Sequence, residues 1–257
     1  MCRTILNEWG GRFGNNLQQL ANCCKYAFED HDLYSISFPA HIYIKNTTLI
    51  NPSTKDLCKC DRVVKTHGFF YEDDEFRKLT WNEKRRIVKK YLLPVISEKI
   101  IEGADTQLYD CCLHIRSGDV KNVTTGHYAK VSLDYYVSNI EEVLSKDQTV
   151  HICFEDSNIN VYKPLLEQYG QHPSVSMSHN NVLEKDINTL MRCNRLITSV
   201  GSFSMAAVCL SKTIETVCIV SRRRKNKSFQ DFSFLDKETL TTDPHTSIFK
   251  LSGEYES

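Results

Sequence analysis

Three clusters in this sequence combine residue types suited to binding an anion. The first is His114-Ile115-Arg116-Ser117-Gly118-Asp119, which follows the mostly apolar run Leu108-Tyr109-Asp110-Cys111-Cys112-Leu113. Arg116 leaves the carboxyl end of this strand as the chain turns through Ser117-Gly118-Asp119. In open α/β sheets ligands bind outside the carboxyl ends of strands, and an arginine there can hold a phosphate through two parallel N–H···O bonds. The second cluster is the glycine-rich loop Gly10-Gly11-Arg12-Phe13-Gly14-Asn15-Asn16, set between a short strand at 3–7 and a helix. Strand, glycine loop and helix in that order let backbone amides approach a ligand closely. The loop has neither the G-x-G-x-x-G spacing of dinucleotide folds nor the lysine of a P-loop. The third cluster is the turn Gly201-Ser202-Phe203-Ser204, which follows Ser199 at the end of another strand. Two acidic residues stand near similar places. Asp156 follows the buried run Val150-His151-Ile152-Cys153-Phe154, and Asp186 opens a short helix.

These residues need a scaffold, and the rest of the chain supplies its pattern. Leu17, Leu20, Ala21, Cys24, Ala27 and Phe28 recur at the three- and four-residue spacing of one buried helix face. Residues 33–38 alternate and end at Pro39, as a strand does, and 63–66 read as another strand. The acidic run 72–75 reads as solvated surface. Residues 82–101 read as helical with a break at Pro94, and 102–105 as a hinge. After it the rhythm is clearer: a strand ending at Arg116, a polar loop at 118–130, a helix at 133–144 and a strand at 150–154. A helix at 161–169, a short strand and loop within 174–182 and a helix at 186–193 follow. A strand at 195–200, a helix from Met205 to about 210 and a final strand at 216–220 complete it. Alternating short buried strands and helices predict an α/β fold with a parallel sheet.

The bulk composition excludes several classes. The chain has 257 residues, 41% hydrophobic and 25% charged, an ordinary globular mixture with a net charge of zero from 32 basic and 32 acidic residues. Nothing in that balance argues for nucleic acid or an anionic membrane surface, and no nucleic-acid partner is expected. Eleven cysteines, an odd number without a Cys-x-x-Cys pair, read as reduced thiols in a reducing compartment. Cys58-x-Cys60 is the candidate for a disulfide or metal. No secretory segment or long apolar span is visible, so the expectation is a soluble, cytoplasmic protein unless a membrane anchor has been removed.

Four segments together resemble the fucosyltransferase superfamily, meaning the α-1,2 and α-1,6 enzymes and the protein O-fucosyltransferases. They are Gly11-Arg12-Phe13-Gly14-Asn15, His114-x-Arg116-x-Gly118-Asp119, Phe154-Glu155-Asp156, and the stretch from Asp186 through Leu190-Met191 and Cys193 to Ser202-Phe203-Ser204. The glycine segment is similar to that of the protein O-fucosyltransferases, the last segment to that of the α-1,2 enzymes. Departures are Ser117 where a second arginine is common, Glu155-Asp156 as the acidic pair, and Met205-Ala206 where the family has a tryptophan pair.

The resemblance implies a GT-B-like fold of two Rossmann-like halves, 1–104 on the acceptor side and 105–257 binding a GDP-sugar, with the active site in the cleft between them. It implies inverting transfer of L-fucose, or a similar deoxyhexose, from a GDP-sugar to a glycan hydroxyl, without a metal or other cofactor. Arg116 then stabilises the leaving diphosphate, and the backbone amides of Ser202 and Phe203 with the hydroxyls of Ser202 and Ser204 assist it. Asp156 reads guanine N1 and N2, and the counterpart of Asp186 helps bind the nucleotide; otherwise Asp186 is a helix N-cap. His114 either faces the same cleft or is a satisfied core histidine. Asn15 sits at the reacting centre, and Arg12 helps bind the donor. Gly11, Phe13, Gly14, Gly118, Asp119, Ser199 and Gly201 complete the expected binding set. Two other readings compete. Asp30-His31-Asp32 supplies the Asp-x-Asp of a metal-dependent transferase, although a solvated connection suits it better. The basic run 222–227 would suit a non-enzymatic nucleic-acid-binding or scaffold protein.

Overall fold

A computed structural model describes residues 3–53, 63–66, 81–116, 131–199, 201–220 and 246–250. The chain divides into two compact units, Met1–Ile101 and Glu102–Ser257.

In the first unit, β1 (Arg3–Leu6) leads through the glycine loop into α1 (Phe13–Cys24), which continues as a π-helical turn over Lys25–Asp30. β2 (Ser35–Ser37), β3 (Thr48–Ile50) and β4 (Val63–Thr66) complete a sheet of order β3-β2-β1-β4. β1 is parallel to both neighbours, and β3 is antiparallel to β2. α2 (Trp81–Ile87) runs on through a π turn at Val88–Leu92 and a 3-10 turn at Leu93–Val95, where Pro94 ends it; α3 (Glu98–Ile101) follows. The periodic face of α1 is the buried one: Leu17, Leu20, Ala21 and Cys24 are all but fully covered, as are Leu6, Ile36 and Leu92 of the same unit. Each such leucine or isoleucine contributes roughly 1.5–3 kcal/mol when taken out of water.

In the second unit, β5 (Tyr109–Ile115) is central to a sheet of order β10-β9-β8-β5-β6-β7. Its members are β6 (Val150–Phe154), β7 (Val175–His179), β8 (Cys193–Ile197), β9 (Thr216–Val220) and β10 (Thr246–Lys250). All pairs are parallel except β9 with β10. The helices are α4 (Leu133–Leu144), α5 (Tyr162–Tyr169), α6 (Leu183–Met191) and α7 (Phe203–Leu210). Strands covered on both faces read as continuous apolar runs, and β5 and β6 are buried along their apolar stretches. Cys111, Leu113 and Ile115 pack with Val150, Ile152 and Phe154 against Tyr136, Ile140 and Val143 of α4 and Leu165 of α5. The alternate residues face the other way. There the Cys112 thiol donates to the Thr189 carbonyl of α6, and His114 meets Ser204 of α7.

The mixed α/β fold with parallel sheets is the class the sequence implies. Several boundaries differ. The strand expected at 33–38 narrows to Ser35–Ser37, and the helix expected at 186–193 is Leu183–Met191. β10 extends the sheet past the strand expected to be final. α1 and α7 begin at Phe13 and Phe203, so the ends of both expected loops are first helical turns. The acidic run 72–75, the loop 118–130 with Gly118 and Asp119, Cys58, Cys60 and the basic run 222–227 lie outside the described residues. Among the described residues, eight cysteines are buried and outside any disulfide, and no helix is long and apolar enough to cross a membrane.

Candidate active site

The carboxyl ends of β5 and β8 bring one group of expected residues together. Arg116 follows β5, and its backbone N–H donates to Ser199 Oγ at 2.9 Å. Ser199 is buried just past β8 and also hydrogen-bonds the Tyr136 hydroxyl of α4. Gly201 follows with φ +105°, and a Cβ built on it would lie 2.0 Å from Arg116 Nη1. α7 then starts at Phe203, with no side chain capping it. The guanidinium therefore lies beside the loop that opens α7, whose amino end carries about half a positive charge. A guanidinium and a helix amino end are both chemically suited to an anionic group such as a phosphate.

His114 is the buried neighbour of Arg116 and α7. Its Nδ1 is 2.7 Å from Ser204 Oγ, and its ring centroid is 5.3 Å from that of Phe203. Burial first, and then the charge of Arg116, push its pKa down to about 3. The imidazole is thus neutral at neutral pH, and the positive charge beside it stays on Arg116.

One expected aspartate follows β6, and the other lies in α6, after β7. Asp156 is half-buried, and its Oδ1 accepts the Asn158 N–H at 2.7 Å, which fixes the carboxylate within a turn. Asp186 is 7% exposed and lies in the first turn of α6. The N-cap there is Val182, so the reading of Asp186 as a cap does not hold. Asn181 Nδ2 donates to Asp186 Oδ1 at 2.9 Å, and the carboxylate also hydrogen-bonds the Cys153 side chain of β6. Burial raises the Asp186 pKa, opposed by those two hydrogen bonds. Cys153 is the register partner of His114, so both side chains lie on the same sheet face.

The glycine loop forms a separate cluster in the first unit. Gly11 has φ +71°, and a Cβ there would meet Asn15 Nδ2 at 2.2 Å, so the Asn15 amide folds back over the glycine. Arg12 is exposed and its carbonyl accepts the Asn15 and Asn16 N–H groups at 2.8 and 3.1 Å. Phe13 and Gly14 are buried in α1. Phe13 packs edge-on against Tyr43, with ring centroids 5.4 Å apart. Both backbone groups of Gly10 are held by α1 side chains: its N–H donates to Gln19 Oε1 and its carbonyl accepts from Asn16 Nδ2, each at 3.0 Å. His41 Nε2 lies 3.1 Å from Asn16 Oδ1, and the Tyr43 N–H donates to His41 Nδ1 at 3.2 Å. The second bond leaves the ring proton on Nε2, which donates to Asn16. Burial lowers the His41 pKa and favours this neutral form.

Sequence reasoning missed Tyr136, Cys153 and Asn181 in the second unit and Asn16, Gln19 and His41 in the first. Asn16 and Gln19 stand one helical turn apart, a signal that two amides share the loop-facing side of α1. Of the Asp-x-Asp rival, Asp30 pairs with Lys25, and Asp32 accepts from Asn51 Nδ2 at 3.2 Å. Among the described residues no group of three or more His, Cys, Asp and Glu side chains is arranged to hold a metal ion.

Comparison with known proteins matches residues 60–239 to the model of a family described as Glycosyl transferase family 11. His114, Arg116, Asp156, Asp186 and Ser199 through Ser204 lie inside that span, and the glycine loop lies before it. Curated proteins give no match. Among solved structures, POFUT1 in complex with GDP is 12% identical with a TM-score of 0.46, the alignment covering 82% of this chain and 96% of that one. POFUT1 in complex with GDP-fucose is 12% identical with a TM-score of 0.43, covering 81% and 94%. The iron-containing dodecameric glycosyltransferase TibC from enterotoxigenic E. coli H10407 is 15% identical with a TM-score of 0.44, covering 86% of this chain and 58% of that one.

Proposed function

The chain belongs to glycosyl transferase family 11, a fucosyltransferase family, and from that premise we propose that it moves L-fucose from GDP-fucose to a glycan hydroxyl with inversion and without a metal. The observation that carries this reading is the seating of Arg116 beside the loop that opens α7. As the acceptor oxygen bonds to the anomeric carbon, the bond from that carbon to the β-phosphate oxygen breaks. The electron pair stays on the phosphate, and negative charge grows where Arg116 and the first amides of α7 are gathered. Preorganised donors of this kind stabilise a transition state more than a ground state. Asp156, fixed in its turn, accepts hydrogen bonds from guanine N1 and N2, and Asp186 supports the nucleotide from the next helix. Asn15, an amide and so a poor base, orients the acceptor, whose hydroxyl proton passes to a phosphate oxygen of the leaving GDP. Arg12, exposed beside it, contributes to the donor.

The test is thermal. GDP should raise the melting temperature, as any ligand of the folded state does, and UDP should do so much less. Equal stabilisation by the two would remove the guanine assignment. GDP-fucose turnover should also survive excess EDTA; its abolition would replace the metal-free mechanism with a metal-dependent one.

A further inference from the structure

The Arg116 side chain has a seat in this fold that exists because one residue has no side chain. A Cβ built on Gly201 would lie 2.0 Å from Nη1, 3.1 Å from Cζ and 3.3 Å from Cδ of Arg116. These atoms run from the aliphatic stem to the guanidinium, so the side chain passes through the space that a Cβ at 201 would take. The same loop holds the other end of the residue, through the Arg116 N–H to Ser199 Oγ, two positions before Gly201. One segment therefore holds the Arg116 backbone and leaves room for its guanidinium, and the next residues open α7.

We propose that Gly201 is a positioning residue, whose bare Cα seats the Arg116 guanidinium at the leaving phosphate before the donor arrives. The proposal rests on Arg116 as the cation of the proposed transfer. An arginine free in solvent must be ordered when the donor binds, at a cost in rotamer entropy. A seated one is already aimed. Any side chain at position 201 displaces the guanidinium from the amino end of α7 and separates the two positive features that meet the phosphate. A misplacement of about 1 Å in a reacting site can cost up to roughly a hundredfold in rate.

A double-mutant cycle read by hydrolysis of GDP-fucose, with water in place of the acceptor, tests this. Arg116→Ala should lower turnover about a hundredfold. Gly201→Ala should lower it about tenfold or more in the presence of Arg116, and should cost nothing further on top of Arg116→Ala. Added guanidinium should partly restore Arg116→Ala and not the double variant. Equal fractional losses from Gly201→Ala in both backgrounds would mean the glycine serves only its own φ of +105°, and would overturn the proposal. A second measurement needs no variant. In the free wild-type protein, nitrogen NMR should show hindered rotation of the Arg116 guanidinium, and rotation as free as that of exposed arginines would overturn the seat. That result is independent of the fucosyl reading, which fails separately if the wild-type protein neither hydrolyses GDP-fucose nor binds GDP.

Discussion

His114 and His151 are both held neutral inside the second unit, and this has a consequence for acid stability. His114 is 3% exposed with a pKa near 3, and His151 is 7% exposed with a pKa near 4, burial being the main cause for each. His151 sits between Ser176 Oγ at 2.8 Å and Ser178 Oγ at 2.9 Å and stacks on Tyr109. In the unfolded chain both rings return to an ordinary value of 6.5. As pH falls below that, the unfolded chain takes up protons that the folded state refuses, so stability drops. The loss runs up to ~1.4 kcal/mol per pH unit for each ring and levels off as pH passes each folded value. Urea midpoints should accordingly fall steadily from pH 6.5 towards pH 4, and His114→Gln should flatten the slope. An unchanged slope in that variant would mean His114 is charged when folded.

At the scale of elements, the glycine loop is set by the helix that follows it. Asn16 and Gln19 hold both polar groups of Gly10, and His41 from the connection after β2 holds Asn16. Asn16→Ala would leave the buried Gly10 carbonyl and the His41 Nε2–H without that partner, at a cost of about 1–3 kcal/mol. Urea unfolding should show that loss. Asn15→Ala, which removes an amide lying over Gly11, should cost less stability and more fucosyl transfer; the reverse ranking would mean Asn15 is structural and Asn16 is not. This latch was invisible in the sequence because it joins residues 25 positions apart, from a helix and a loop with no shared period. Other elements were plain. β5, β6 and β9 stand on both-face burial, so Cys111-Cys112-Leu113, Val150-His151-Ile152-Cys153-Phe154 and Val217-Cys218-Ile219 show as continuous runs. The starts of α1 and α7 were misread because neither Arg12 nor Ser202 makes a side-chain cap, and the glycines beside them signal a turn. α6 begins early for the same reason, with apolar Val182 at its cap. β10, Thr-Ser-Ile-Phe-Lys, offers two apolar residues and no alternation. The site was legible where a motif sits on a strand end, as at Arg116 and Ser199, and illegible where Cys153 and Tyr136 support it from the core.

At the scale of the whole molecule, Arg116, the turn that opens α7 and both aspartates belong to one unit and the glycine loop to the other. GDP without a sugar should therefore slow hydrogen exchange at Arg116 and at 199–206 while leaving 10–20 unchanged. Protection of 10–20 by GDP alone would show that the loop reads the nucleotide. The sulfur atoms add a different kind of readout. Cys23 and Cys24 lie in the first core, and Cys111, Cys112, Cys153, Cys193, Cys209 and Cys218 in the second, all covered. Burial pushes the thiols of Cys24, Cys111, Cys112 and Cys153 well above their ordinary acidity range, so they are unreactive as well as hidden. An alkylating reagent can reach such a sulfur only in the moments when its surroundings open. The rate at which each one is consumed, resolved by peptide mass, makes the chain a set of internal clocks, each timing how often its own part of the fold comes apart.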